Sequence, residues 1–522
     1  MHRKHLSTVL AAVVIGLVSV TGLSAASFTL GPLVQVSGAS PFSAVCDDAA
    51  GQTGTAFLNS EVEPWVDVNP MNPLNMVGVW QQDRWSNGGS RGNVAGVTMD
   101  GGSTWTIVNA LKTSLCTGGT AANGGDYQRA TDPWVTFGPT GIAYQLSLSF
   151  NDLEPPITTF DFDHALLASR STDGGLTWSP PVRVIRDTAP TVFNDKQSIT
   201  ADPTDASYVY AVWDRLVFPG SERASVTAAF RSSSFSGPAW FARSSNAGVT
   251  WEPARQIFDP GQRDQTIGNQ IVVQPNGDLV DIFTEFNNEN AKKHRGAFVR
   301  VLRSTTKGDT WSGPFDVGRL GAIGAFDPES GDPVRDGAII PDIAVDSTTP
   351  SSSTSGRLYA VWQDASFNGG QADAIAFSQS LDGGRTWSSP IKVNKTPAGI
   401  PVGNQQAFTA SVDVSANGTI SVTYYDFRNN TSAAPLLTDY FVVHCHPTSP
   451  AACRDPANWK DDQQGDDKRL TVVSFDMRQA PFAGGFFTGD YEGLASVGNA
   501  FTPFFSQPHG TDPSSVFFRR AG

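Results

Sequence analysis

Hydrophobic and polar residues alternate along most of the chain in short stretches, such as "MVGVWQQDR" (76–84), "AIAFSQS" (374–380) and "TISVTYYD" (419–426). The stretches are rich in Val, Ile, Phe, Tyr and Thr and are bounded by Gly, Pro, Asn and Asp. A period of two over such lengths predicts strands half-buried in sheets. Apolar positions at helical spacing are almost absent beyond the N-terminus, so the pattern predicts an all-β fold.

One turn recurs between these stretches. It reads "TMDGGSTW" from Thr98, "STDGGLTW" from Ser171, "SSNAGVTW" from Ser244, "STTKGDTW" from Ser304 and "SLDGGRTW" from Ser380. A strand precedes each copy, and "PPVRVI", "GPFDVG" and "SPIKVN" follow three of them, which makes the motif a hairpin turn. Its residue types suit that task. An Asp carboxylate accepts N–H groups of its own tight turn, Gly supplies positive φ, and the Trp can bury its rings between sheets. Asn246 and Thr306 stand where the other copies have Asp. Both can bond a turn, but neither can replace a catalytic acid, so the motif reads as a joint.

A second pair of strands stands upstream of each hairpin. The copies begin at "EPWVDVNP" (Glu63), "DPWVTFGP" (Asp132), "DKQSITADP" (Asp195), "NQIVVQPNG" (Asn269), "PDIAVDS" (Pro341) and "AFTASVDVS" (Ala407). Each unit therefore holds four antiparallel strands, with the motif between the third and fourth. The sixth unit has an insertion, "HPTSPAACRDPANWKDDQQGDDK", in place of its motif. A seventh set, "EGLASVG", "AFTPFFSQ" and "SSVFFRR", lacks a fourth strand, and "GPLVQVS" (31–37) resembles the fourth strands elsewhere. An N-terminal strand completing the last unit would close a ring and leave no open sheet edge. The expectation is a seven-bladed β-propeller, with six blades as the alternative if Glu492 onward is not a full blade.

The five motifs resemble the Asp-boxes (BNR repeats) of the sialidase-like β-propellers, and the likeness covers nearly the whole chain after residue 26. Families of this build include glycosidases, polysaccharide lyases, sorting receptors and assembly factors, so the resemblance implies a fold more strongly than an activity. It also implies that strand-one starts and strand-two ends meet on one face around a central channel, with the motif turns on the other.

That register gathers polar residues from distant parts of the chain. Strand-one starts offer Asp132, Lys196, Asn269, Asp342, Gln406, Asp490 and Tyr491; strand-two ends offer Asp83, Arg84, Asp152, Asp214, Arg215, Glu285, Asp364, Asp426 and Arg428. Long connections reach the same face, among them 116–132, 316–339 and 476–490, with 215–237 inside the third unit. Sialidase-type hydrolysis needs arginines for a substrate carboxylate, an acid for the leaving oxygen, and a Tyr nucleophile beside a Glu. The resemblance thus implies Asp132, Glu285, Tyr491 (or Tyr425) and Asp426 as catalytic candidates. Arg129, Arg215, Arg428, Lys196, Asp214 and Asp342 are the substrate-binding candidates. The Phe/Tyr-Arg-Ile-Pro sequence that carries the first sialidase arginine is absent from the chain. Two alternatives therefore stand beside the glycoside hydrolase: a non-catalytic module binding glycan or protein, and a polysaccharide lyase on the same scaffold.

Composition narrows partners and compartment. The formal charge is −14 over 522 residues, which argues against nucleic acid. A carbohydrate is the expected partner, and a carboxylated sugar would need a local basic pocket. "MHRKH", the apolar "VLAAVVIGLV" and Ser24-Ala25-Ala26 read as an export signal over 1–26, leaving 27–522 as one domain with no membrane span. Loss of Arg3 and Lys4 with that segment removes two positive charges and leaves −16. The protein is expected to be secreted or periplasmic. Four cysteines in an exported chain predict two disulfides, with Cys46–Cys116 and Cys445–Cys453 favoured among three pairings. "HCH" (444–446) lacks partners at ligand spacing, so neither a metal nor another cofactor is expected.

Overall fold

A computed structural model of the chain describes residues 28–47, 52–151, 163–189, 191–218, 236–288, 295–348, 355–433, 435–461 and 466–522. The export signal read over 1–26, Asp152 and most of the connection 215–237 lie outside these residues. The described chain is all-β, and its helical turns are 3₁₀ segments of three or four residues.

Strands pair antiparallel in consecutive sets of four. Glu61–Val68, Met76–Arg84, Ser90–Thr98 and Thr106–Val108 form the first set, and Arg129–Phe137, Ala143–Phe150, His164–Ser171 and Val182–Asp187 the second. The Ser90–Ala130 pairing links these two sets. Three further sets of four begin with Val192–Ala201, Gln265–Val273 and Asp342–Val345. In the sixth set, Ala407–Val414, Ile420–Asp426 and Leu437–Cys445 are followed by two short strands, Lys468–Arg469 and Phe475–Asp476, both on Leu437–Cys445. The fourth strand of that set is thus formed after the insertion, in two short pieces separated by 470–474. Gly493–Val497, Ala500–His509 and Asp512–Ala521 complete the series, and Leu30–Gln35 pairs antiparallel with Asp512–Ala521 as their fourth strand.

The first strand of each set touches the first strand of the next, and Gly493–Val497 touches Glu61–Val68. Core clusters lie between neighbouring sheets: Val77, Val97 and Trp178 span the first and second sets, and Tyr359, Phe377, Tyr424 and Trp459 the fifth and sixth.

The five recurrent turns share one geometry. Thr104 donates its N–H to Asp100 Oδ1 at 2.9 Å and its hydroxyl to Oδ2 at 2.7 Å. Thr177 and Asp173 repeat this at 2.9 and 2.6 Å, and Thr386 and Asp382 at 2.9 and 2.7 Å. Asn246 and Thr306 accept the matching N–H groups of Thr250 and Thr310, each at 2.9 Å. The Trp after each turn packs between sheets; Trp105, for example, meets Phe504 and Phe518 of the last set.

Both expected disulfides, Cys46–Cys116 and Cys445–Cys453, are formed. No helix among the described residues is long and apolar enough to cross a membrane.

Candidate functional site

A local backbone device places the side chains of the site. Five first strands shift register near their start, between Val62 and Trp65, Thr131 and Trp134, Asp195 and Ser198, Ile267 and Gln270, and Phe408 and Ser411. At each shift one residue is left-handed: Glu63 (φ 53°), Asp132 (46°), Lys196 (49°), Gly268 (72°) and Thr409 (48°). These are β-bulges, which re-aim a side chain out of the alternating pattern. Four of the five are not glycine, and each holds a conformation that costs L-residues roughly 1–2 kcal/mol.

Three of these strained residues meet. Lys196 Nζ donates to Asp132 Oδ1 at 2.7 Å, Glu63 Oε1 at 3.0 Å and Asp490 Oδ2 at 2.7 Å. Lys196 is only 7% exposed, Asp132 3% and Glu63 1%. Arg335 Nε reaches Asp490 Oδ1 at 3.0 Å, its Nη2 bonds Asp490 Oδ2, and Gln81 Nε2 donates to Glu63 Oε2.

Burial and charge divide the protonation states in this cluster. Burial pushes the Glu63 carboxyl up to about 8, with Asp132 and Asp490 adding to the rise and Lys196 opposing it. Burial also acts on Asp490, but Arg335 and Lys196 outweigh it and hold that carboxyl far below its usual range. Lys196 is held well above its usual value: burial opposes its charge, and Asp132, Asp490 and Glu63 together outweigh burial.

The cluster lies between two spaces. Below it, a cavity is lined by residues in or just before the first strands of all the sets, including Trp65, Trp134, Gly268, Asp342, Thr409 and Tyr491. Trp65 and Trp134 stack there with centroids 3.6 Å apart, and the Tyr491 ring stands edge-on to Trp134 at 5.1 Å. Above it opens a mouth of about 460 Å³, whose charged lining residues are Asp195, Lys196, Arg335, Asp336 and Asp490. Two long connections build its wall. Val334–Arg335 pairs in parallel with Phe486–Phe487, and Gly337 (φ 61°) lies so close to Asp490 that a Cβ would sit 1.9 Å from its carbonyl oxygen.

Of the residues singled out in the sequence, Asp132, Lys196, Asp490, Tyr491, Asn269 and Asp342 come to this centre. Asp342 lines the lower cavity, accepts the Val412 N–H at 2.8 Å, and is pushed up to about 7 by burial. Tyr491 carries none of the activation a nucleophilic phenol needs. Its hydroxyl donates to the Pro133 carbonyl at 3.2 Å, and burial, with Glu63, Asp132 and Asp490 nearby, holds its pKa well above 10.0. Tyr425 is likewise buried, with its hydroxyl between Glu492 and the Ser506 carbonyl.

The others lie elsewhere. Glu285 pairs with Arg300, which also holds Asp316 on the outer strand of that set. Arg428 bridges Asp426 and Asp467 and lies over the Phe441 ring, while Asp426 also accepts from the Thr396 hydroxyl. Arg215 grips Asp187 and stacks on Trp240. Arg129 pins the Thr53 and Gly88 carbonyls and lies over Trp85. Asp214 accepts from Gly268 N at 3.2 Å and from the Asn269 amide, and burial raises its pKa well above the usual value. Strand alternation turned these residues along or between sheets rather than toward the centre.

Comparison with known proteins adds little to this geometry. No known family and no curated protein matches the sequence. Solved structures similar to the chain include a Hadza microbial sialidase, at 15% identity over 87% of this chain and 74% of that one, with a TM-score of 0.45. A Penicillium chrysogenum α-L-arabinanase complexed with arabinobiose matches at 12% identity over 76% and 94%, also with a TM-score of 0.45. An ulvan lyase matches at 11% over 77% and 83%, with a TM-score of 0.43. Overlaps of this size leave the chemistry to be argued from the chain itself.

Two residues of the cluster were absent from the sequence-derived set. Glu63 had a readable signal, because Glu63-Pro64-Trp65 repeats Asp132-Pro133-Trp134 in the same register of the neighbouring unit. Arg335 arrives from a long connection outside the repeat, where no register applies.

Proposed function

We propose that the protein is an exported, single-domain β-propeller over residues 27–522 that binds carbohydrate at the mouth above Lys196. In this reading the sets of strands are seven blades, and Leu30–Gln35 closes the ring within the last one. The unbroken succession of contacts among first strands supports the ring, and the disulfides suit an extracellular or periplasmic protein. One observation carries the binding reading: a concave mouth where ionic side chains from three separate parts of the chain converge. Its carboxylates suit sugar hydroxyls as acceptors, and Lys196 and Arg335 supply positive charge for a carboxylated sugar.

Hydrolysis is the second reading, and a specific observation favours it. Glu63 and Asp490 share Lys196, yet their environments push their pKa values in opposite directions, as in acid and base pairs of glycosidases. It assigns no nucleophile to Tyr491.

The test is a screen of neutral glycans, sialosides and uronate polymers with the wild type and Ala338→Trp, which fills the mouth. Ala338 lines it without a role in the ionic floor. Binding that disappears in Ala338→Trp at unchanged melting supports the site; binding that survives places it elsewhere. Activity falling as pH passes about 8, and lost in Glu63→Gln, would support hydrolysis.

A further inference from the structure

The repeat contains a departure on the side of the recurrent turns. Three third strands end in an arginine just before the turn hydroxyl: Arg170, Arg243 and Arg303. Arg170 donates to the carbonyl of Ala247 in the next turn at 3.3 Å, and Arg243 to that of Lys307 at 2.7 Å. The next copy would place Arg303 on the Gly383 carbonyl, but among the described residues no such bond forms. Arg243 also grips Glu252, just before its own fourth strand, where Arg303 faces Ser312 instead.

Arg303 is therefore buried with its donors underused. Its side chain is 4% exposed, its Nε has no hydrogen-bond partner, and its ionic contact is with Asp278 at 3.4 Å. That is long for a charge-assisted bond, which typically closes to about 2.7–2.9 Å. It borders a cavity of about 480 Å³ that Gln274, Asn276, Asp278, Asp382 and Arg385 also line. The Asp382 carboxylate is consumed by its turn, accepting from Ser380, Arg385 N, Thr386 N and the Thr386 hydroxyl. Burial, and then Arg385, lowers the Arg303 pKa against the pull of Asp278 and Asp382.

We propose that this cavity binds a compact oxyanion, held by the buried Arg303 guanidinium with Arg385 at the rim. A buried guanidinium whose ion pair to Asp278 is long, with a second guanidinium at the rim, is a donor set that carboxylate, sulfate and phosphate groups take. The site lies away from the mouth above Lys196 and does not depend on the carbohydrate reading, so Ala338→Trp should leave it intact.

Calorimetric titration of the full chain at constant ionic strength, with inorganic sulfate, inorganic phosphate and glucuronate as probes, tests this. We expect saturable binding of at least one probe. Arg303→Met should weaken it by roughly tenfold or more, as expected for lost hydrogen bonds to a charged group. Arg385→Ala should weaken it less, and Arg170→Met, whose guanidinium is already spent on a turn, should not change it. Preference for glucuronate identifies a carboxylated sugar as the source, and preference for sulfate or phosphate a tetrahedral anion. If Arg303→Met does not fold, Arg385→Ala decides, since Arg385 is exposed. Absence of saturable binding by all three probes overturns the proposal, as does wild-type affinity in Arg385→Ala.

Discussion

Lys196→Met should destabilise the protein sharply at neutral pH, and the loss should shrink in acid. The substitution keeps most of the side chain's volume and removes the charge on which Glu63, Asp132 and Asp490 converge at 2.7–3.0 Å. Removing one partner of a buried ion pair typically costs about 3–5 kcal/mol, because the remaining charge is left uncompensated. Arg335 still holds Asp490 in the variant, which keeps the cost within that range rather than multiplying it. At an unfolding entropy near 2.1 cal/mol/K per residue, a chain of this length has roughly 1 kcal/mol/K, so melting should fall by about 3–5 °C. The pH dependence follows from the two directions of shift. Lys196 is raised, so its contribution is present throughout neutral and acid conditions and is lost only far into the alkaline range. Asp490 is depressed, so its contribution is present above about pH 4 and is lost as pH falls further. Glu63, pushed up to about 8, is mostly protonated over this range and adds little, so the gap between variant and wild type should be level from about pH 5 to 7 and narrow only as pH falls below about 4. Differential scanning fluorimetry across pH 3–8, supported by urea unfolding at pH 7, measures it. An unchanged melting temperature at pH 7, or a gap that widens in acid, would refute the reasoning.

Other expectations concern the framework. Ala247 occupies the left-handed turn position held by Gly in three other copies (φ 56°), so Ala247→Gly should stabilise the protein by about 1 kcal/mol in urea unfolding. Trp178 is 5% exposed between two sheets, and Trp178→Ala should cost about 3–5 kcal/mol while leaving ligand binding per folded molecule intact. Breaking Cys46–Cys116, which are 70 residues apart, should cost about 4 kcal/mol by loop-closure entropy. Breaking Cys445–Cys453, 8 apart, should cost about 2.5 kcal/mol. Deleting residues 27–37 should expose the Asp512–Ala521 edge and produce concentration-dependent aggregation in light scattering.

The sheet framework was legible because the signals behind it are local and repeated. Alternation fixed which stretches are strands, and the Thr-Trp turns fixed where third strands hand over to fourth strands. The likeness of "GPLVQVS" to other outer strands was enough to pair Leu30–Gln35 with the C-terminal strand. The site was legible only in part. Register placed Asp132, Lys196 and Asp490 at the start of first strands, and they do converge. Register also placed Asp426, Arg428 and Glu285 at the ends of second strands, and there it misled. A strand end fixes height along a blade, while the direction of a side chain depends on alternation and on neighbours such as Asp467 and Arg300. Tyr491 reached the centre with its chemistry reversed, since burial among carboxylates favours the neutral phenol.

The bulges explain why the centre was harder to read than the sheets. A regular strand would point alternate residues of each first strand inward at fixed intervals, and the sequence would reveal the lining by counting. At Glu63, Asp132 and Lys196 the chain instead inserts a left-handed residue, so counting fails at the positions that matter. Asp tolerates that conformation better than most residues, but Glu and Lys do not share the tolerance. Three ionic residues from successive sets hold this backbone while almost wholly buried, and their mutual contacts are the compensation that over-determines it. Thr409 shows the same backbone without a charge; its hydroxyl donates to the Asp336 carbonyl, tying the sixth set to the wall of the mouth. The strain therefore falls where the first strands meet the long connections and is shared among several sets. The bulge belongs to the repeat, since Gly268 and Thr409 share it, and the ionic side chains at three of its copies are what turn a joint of the framework into a charged centre.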